Sequence, residues 1–152
     1  MKLDRIQRQI LAELQKDSRI SNQELADRVG LSVSPCWRRV KELEEAGLIR
    51  RYVALLDRRK IGLGVCLWAQ VRLKKLSAEA TDEFEELVNA RPEIAECYFL
   101  TGEHDYMLKI YLPDMDAYSV FMRDFLLKSA EVEVVRTSVT LREVKNETAL
   151  PV

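Results

Sequence analysis

The sequence predicts an α+β protein in two parts, three short helices leading into an extended segment and then strands and helices in the order βαββαβ. Three observations carry this reading. Apolar residues recur at helical spacing before Gly47, alternation with a period of two takes over from Val65, and the charge divides along the chain. Residues 1–60 hold 14 Lys and Arg against 9 Asp and Glu, whereas residues 61–152 hold 10 against 16. The length of 152 residues suits two small domains, with expected bounds 1–60 and 61–152.

Leu3 and Asp4 open the first helix. Ile6, Ile10, Leu11 and Leu14 then share one face, Asp4 is suited to accept an orphan amide at the start, and the pattern ends near Lys16. After an interruption, Ser21-Asn22-Gln23-Glu24 reads as a capping box, in which serine and glutamate each satisfy the other's free amide. Leu25 and Val29 face inward and Gly30 stops this second helix. Ser34-Pro35 marks the third helix as cap and first helical residue, because proline lacks the N–H that would go unpaired there. Cys36, Val40 and Leu43 form its inner face, Gly47 ends it, and Leu48 to Leu56 is extended.

Two helices joined by a tight glycine turn, the second with a basic outer face, form a helix-turn-helix, and the extension makes it a winged variant. A helix lying in the major groove of double-stranded DNA must offer donors to base edges, while flanking cations meet phosphates. Ser32, Val33, Ser34, Trp37, Arg38 and Lys41 are placed for the groove, and Arg39, Arg50 and Arg51 for phosphate. A solvated helical bundle accounts for the charge pattern equally well, and Trp37 fits either the groove or the edge of the core.

In the second part, Val65 to Leu73 alternates as a strand. Ser77 to Ala90 is an amphipathic helix stopped by Arg91-Pro92, and Ile94–Leu100 and Tyr106–Leu112 are strands flanking a glycine turn. Asp114 or Asp116 caps a helix carrying Tyr118, Phe121, Met122 and Phe125, and Val132 to Val144 returns to strand. This is the ferredoxin-like order. Helices cover one sheet face only, so the bare face calls for a partner, most simply a second copy in a homodimer.

Composition narrows the function classes. With 47% hydrophobic and 32% charged residues the chain is neither disordered nor built to span a membrane. Met1-Lys2-Leu3-Asp4 runs directly into a charged pattern without a signal segment, so a cytoplasmic location is expected. Cys36, Cys66 and Cys97 are widely spaced, which suits reduced, mostly buried thiols rather than disulfides or zinc. No catalytic set, cofactor loop or metal cluster is evident, and no cofactor is expected.

Taken together, the motifs resemble the Lrp/AsnC family of regulators over essentially the full length. They are Leu3-Asp4 with Ile10-Leu11, Arg19-Ile20-Ser21-Asn22 with Glu24-Leu25, Val29-Gly30-Leu31-Ser32 through Pro35-Cys36, and Arg39-Val40-Lys41 to Leu43-Glu44 and Gly47. Gly102-Glu103-His104-Asp105-Tyr106 matches that family's Gly-x-x-Asp-Tyr turn, with Pro113-Asp114-Met115 and Arg136-Thr137-Ser138 beyond it. The resemblance implies a ferredoxin-like RAM domain, dimers assembling to octamers, and an amino-acid effector bound between subunits. It places Thr101, Gly102, Glu103, Asp105, Tyr106, Thr137 and Ser138 at the effector, turn amides meeting its carboxylate and Asp105 its ammonium. Without the resemblance, the same stretch is a tight turn. His104, the only histidine, is expected in solvent and Cys97 buried on its strand.

Two rival functions remain at this level. An architectural DNA-binding protein would use the same helix without an effector, and siroheme decarboxylases, which resemble this family in architecture, would need histidine chemistry for which only His104 is present.

Overall fold

In the computed structural model, which describes residues 3–152, α1 (Arg5–Lys16) begins at a complete capping box. The Gln7 amide donates to Asp4 Oδ1 at 2.8 Å, and the Asp4 amide donates to Gln7 Oε1 at 3.0 Å. Met1 and Lys2, part of the segment read for a signal, lie outside the described residues. Helix α2 (Asn22–Val29) has only half of its expected box. Ser21 Oγ accepts the Glu24 amide at 3.1 Å, but the Glu24 carboxylate turns away to Arg28, one helical turn on. That i, i+4 pairing competes with the reach back to Ser21, and Arg28 also bonds Glu13 of α1 at 2.8 Å.

Helix α3 (Val33–Glu45) starts earlier than expected, with Ser32 rather than Ser34 at the cap position. Pro35 therefore sits third in the helix, which costs no bond because amides of the first turn have no intrahelical acceptor. Gly47, at φ 70°, lets the chain reverse so that the Leu48 amide reaches the Leu43 carbonyl at 3.0 Å. Ile10, Leu25, Ala26, Cys36 and Leu43 form the core of this unit. Ile10, Leu25 and Leu43 each contribute about 1.5–3 kcal/mol of apolar burial, and Ala26 and Cys36 less.

The second unit is a four-stranded antiparallel sheet in the order β2-β3-β1-β4, formed by β1 (Val65–Leu73), β2 (Ile94–Phe99), β3 (Tyr106–Leu112) and β4 (Val132–Val139). Two helices cover one face, α4 (Ala78–Asn89) and α5 (Met115–Phe121), capped by Ser77 and Asp114. Leu67, Ala69, Val71, Leu108 and Ile110 pack there with Phe84 and Phe121. The alternate residues, among them Trp68, Met107 and Lys109, line the other face. Lys109 Nζ lies 5.2 Å from the centre of the Trp68 ring and bonds Glu96 at 2.9 Å. Cys36 and Cys66 are buried and Cys97 is half-buried, all three unpaired.

Three features depart from the sequence reading. The helix carrying Phe121 and Phe125 widens into a π-helical turn, Met122–Leu126, where the Leu127 amide reaches the Met122 carbonyl five residues back at 2.9 Å. Leu48 to Leu56, expected as extended, forms no strand and pairs with none among the described residues. The last strand ends at Val139 rather than Val144. Val144–Val152 instead groups with the chain up to Leu55, while Leu56–Glu143 forms the sheet unit, so the division expected at residue 60 does not assign the C-terminal segment. Two bonds between the Gln15 side chain and the Leu150 backbone hold the return: the Leu150 amide donates to Gln15 Oε1 at 2.6 Å, and Gln15 Nε2 donates to the Leu150 carbonyl at 2.9 Å.

Candidate nucleic-acid interface and effector turn

The inner positions of α3 are taken by Cys36, Val40 and Leu43, which leaves Ser34, Trp37, Arg38 and Lys41 outward on successive turns. Ser32 and Val33 are also exposed, and Ser32 makes no side-chain capping bond, so its hydroxyl is available. Trp37 is 49% exposed on this face. Arg38 lies 3.9 Å from Glu42 and Lys41 2.7 Å from Glu44. Exposed pairs of this kind contribute about 0–1 kcal/mol, so a phosphate or a base edge readily displaces the carboxylate.

Arg39, expected to meet phosphate, is paired within the chain. Its Nη1 donates to Asp4 Oδ2 at 2.6 Å and so ties α3 to the start of α1. The Gln7 amide, and after it the Arg39 guanidinium, hold the Asp4 carboxyl below its ordinary value. Arg50 and Arg51 are exposed on the extended segment. Tyr52, which the sequence reading passed over, anchors that segment: its hydroxyl donates to Glu44 at 3.0 Å. Burial and the neighbouring Glu44 push the Tyr52 phenol up to about 12.

The turn between β2 and β3 is bound into the sheet at several points. Gly102 has φ 140°, a conformation that L side chains rarely adopt. The Leu100 amide reaches the Asp105 carbonyl at 2.8 Å, the Asp105 amide reaches the Val71 carbonyl at 2.9 Å, and Asp105 Oδ2 accepts the Leu73 amide at 2.8 Å. Glu103 accepts from Arg136 of β4 at 3.0 Å. Arg136 was not among the expected site residues, since only the strand register brings it to Glu103.

Tyr106 is buried, its ring 4.8 Å from that of Phe84 and 5.1 Å from that of Phe99, with its hydroxyl donating to Glu85 at 2.8 Å. It therefore supports the turn from beneath. His104 is buried rather than solvated. Thr137 pairs with Ala69 and Ser138 with Trp68, so the two point to opposite faces of the sheet, and Thr137 Oγ1 is buried without a partner. Within one chain, then, Glu103, Arg136 and the end of β1 meet at the turn, while Tyr106 and Thr137 point to the helix-covered face, opposite to Arg136 and Ser138.

Comparison with known proteins matches both units. A winged helix-turn-helix DNA-binding family matches residues 3–50, and the Lrp/AsnC ligand binding domain matches residues 67–150. The leucine-responsive regulatory protein of Escherichia coli (strain K12) is 42% identical over 148 residues, covering 97% of this chain and 90% of that protein. The transcriptional regulator AzlB of Bacillus subtilis is 39% identical over 150 residues, covering 99% and 96%. Among solved structures, a transcriptional regulator from Neisseria meningitidis in complex with L-Met superposes with a TM-score of 0.95 at 41% identity, covering 99% and 97% of the two chains. A DNA-binding helix-turn-helix followed by a ligand-binding domain, with relatives matched over nearly the whole chain, make this protein a member of the Lrp/AsnC family of transcriptional regulators.

Proposed function

We propose that this regulator reads a specific double-stranded DNA site and that an amino-acid effector alters how tightly it does so. The observation that carries the reading is the outward face of α3, where Ser34, Trp37, Arg38 and Lys41 stand free of the core on one helix. The bound L-Met of the Neisseria relative supports the effector class. Turn amides around Thr101, Gly102 and Glu103 meet the carboxylate, and the free oxygen of Asp105 takes the ammonium. Arg136, drawn to Glu103, flanks the site on the open face of the sheet.

Dimerisation, and further assembly to an octamer, fits two features. Residues Arg50 to Leu56 make no backbone hydrogen bonds among the described residues and expose Tyr52, Val53, Leu55 and Leu56. The sheet face bearing Trp68, Tyr98 and Met107 has no helix over it. Among the described residues no helix is long and apolar enough to cross a membrane, in keeping with a cytoplasmic regulator.

The test is fluorescence anisotropy with selected and random duplexes, with each of the twenty amino acids added in turn. Preference for the selected site of about 10³ or more, shifted by one or two amino acids, is expected of a regulator. Weak preference unaffected by any amino acid overturns the reading in favour of an architectural role. Asp105→Asn, which retains an oxygen for the Leu73 amide, is expected to lose the amino-acid response and keep the DNA affinity.

A further inference from the structure

Past Gly47 the backbone is tied to α3 at Leu48 and Ile49, whose amides reach the Leu43 carbonyl at 3.0 and 3.3 Å. From Arg50 to Leu56 no backbone group bonds another among the described residues. Apolar packing does not fix this stretch either, since Val53, Leu55 and Leu56 are each more than half exposed. Its one hydrogen bond among the described residues runs from the Tyr52 hydroxyl to Glu44 Oε1 at 3.0 Å. Arg50 and Arg51, both exposed and expected to meet phosphate, lie immediately before that tyrosine.

Glu44 uses its two carboxylate oxygens differently. Oε2 accepts from Lys41 at 2.7 Å, three residues back on the outward face of α3, while Oε1 is left to Tyr52. The Glu44 side chain is 27% exposed, against 54% for Glu42, which stands 3.9 Å from Arg38. Lys41, and after it Tyr52, hold the Glu44 carboxyl below its ordinary value, so it stays a charged acceptor near neutrality. The Tyr52 phenol, pushed up to about 12, stays a donor over the same range. A hydrogen bond to a charged acceptor is stronger than one between neutral groups. When a phosphate or a base edge draws Lys41 away, the Tyr52 bond persists, because the other oxygen holds it.

We infer that Glu44 is a positioning residue for DNA recognition. Through Tyr52 it holds Arg50 and Arg51 at a fixed distance from the reading face of α3, so that their phosphate contacts and its base contacts fall in one register. The inference rests on the DNA role proposed for α3, and it carries a sign that charge alone does not give. A carboxylate close to DNA repels phosphate, so on charge alone its removal strengthens binding. Loss of the post that holds two arginines does the opposite, since fewer phosphates are then neutralised.

The experiment is fluorescence anisotropy of the full-length protein on a selected and a random duplex over a range of salt concentrations. The variants are Glu44→Ala, Glu44→Gln, Tyr52→Phe and Glu45→Ala, the last removing an exposed carboxylate next along α3. Glu44→Ala and Tyr52→Phe are expected to weaken binding to the selected duplex about tenfold, and to make the slope of log affinity against log salt shallower by about 1–2, the loss of two phosphate contacts. Glu44→Gln keeps an oxygen for the tyrosine and is expected to retain the slope, whereas Glu45→Ala is expected to strengthen binding slightly. With Arg50→Ala and Arg51→Ala already present, Tyr52→Phe is expected to add nothing. Slopes unchanged in both Glu44→Ala and Tyr52→Phe overturn the inference, as does a Glu44→Ala protein that binds more tightly in step with Glu45→Ala. A further loss from Tyr52→Phe in the background lacking both arginines overturns it too, because the tyrosine then acts on something else. Tyr52→Phe removes a single oxygen and leaves the ring, so this arm does not depend on the fold tolerating a truncation. Failure of the site-reading role looks different: the unsubstituted protein then shows no preference for the selected duplex, and the slopes on random DNA still decide the part of Glu44.

Discussion

The outward face of α3 and the Gly102 turn both meet the world outside the chain, but they are held in place by different means. On α3 the contact residues follow one another on a single helix, so their shared direction comes from helical geometry and the burial of Cys36, Val40 and Leu43 beneath them. At the turn, neighbours in sequence part company. Asp105 closes onto the Leu73 amide, Glu103 reaches Arg136, and Tyr106 descends between Phe84 and Phe99. A reading surface can thus be built from local structure, whereas a ligand turn here depends on the sheet around it.

The largest effect that would sharpen this contrast is expected from Phe84→Ala. It removes the ring under Tyr106 without touching either charged surface, and truncations of this kind cost about 3–5 kcal/mol. Urea unfolding followed separately through Trp68 in the sheet unit and Trp37 on α3, each in a background lacking the other tryptophan, should show the Trp68 transition moving and the Trp37 transition staying. Equal displacement of both would break the contrast, since the two surfaces would then share one cooperative frame.

At the turn itself, Asp105→Ala should destabilise the sheet unit by about 1–3 kcal/mol, the cost of leaving the Leu73 amide without an acceptor. Asp105→Asn should cost distinctly less while still removing the charge. Identical unfolding midpoints for the two variants would show that the carboxylate has no structural part there.

On α3 the expectation is the reverse: large effects on recognition with small effects on stability. Arg38→Ala is expected to lose about 1–3 kcal/mol of preference for the selected site, and Arg51→Ala to weaken selected and random DNA alike. Arg39→Ala should behave as a turn-like residue on this helix, lowering stability through the lost Asp4 bond. Anisotropy measured at several salt concentrations separates the three. An Arg39→Ala protein of unchanged stability that loses DNA affinity would return Arg39 to the phosphate role.

The smallest expected effect is on the acid side of the pH profile. Asp4 and Glu13 are held below their ordinary values, Asp4 by the Gln7 amide and Arg39, Glu13 by Lys16 and Arg28. A carboxyl held low in the folded state contributes stability that is present above its unfolded value and lost as pH falls through the folded one. The helical unit should therefore be indifferent to pH near neutrality and weaken on the acid side of the ordinary values of 3.8 and 4.5. Unfolding monitored through Trp37 from pH 6 to pH 3 checks the sign, and Asp4→Asn should flatten the profile.

Sequence reasoning reached different depths in the two surfaces for the same reason. The caps at Asp4 and Ser21, the stops at Gly30 and Gly47, and the βαββαβ order depend on residues a few positions apart and were legible in advance, and Asp114 is the one of two cap candidates that the structure uses. So was the exposed basic face of α3. Glu24 turned to Arg28 because two local partners were available and the sequence does not rank them. Arg39, Tyr52 and Arg136 took roles set by Asp4, Glu44 and Glu103, partners 35, 8 and 33 residues away.

Period, caps and charge distribution, all properties of neighbouring residues, determined from the sequence alone that this protein has a helical reading unit and a one-sided sheet. Tertiary structure alone decided that the last residues return to α1 through Gln15 and that Tyr106 lies beneath the turn instead of facing it. These outcomes depend on which distant groups compete for the same hydrogen bond or the same buried space. Only the paired sheet and a packed core fix those distances.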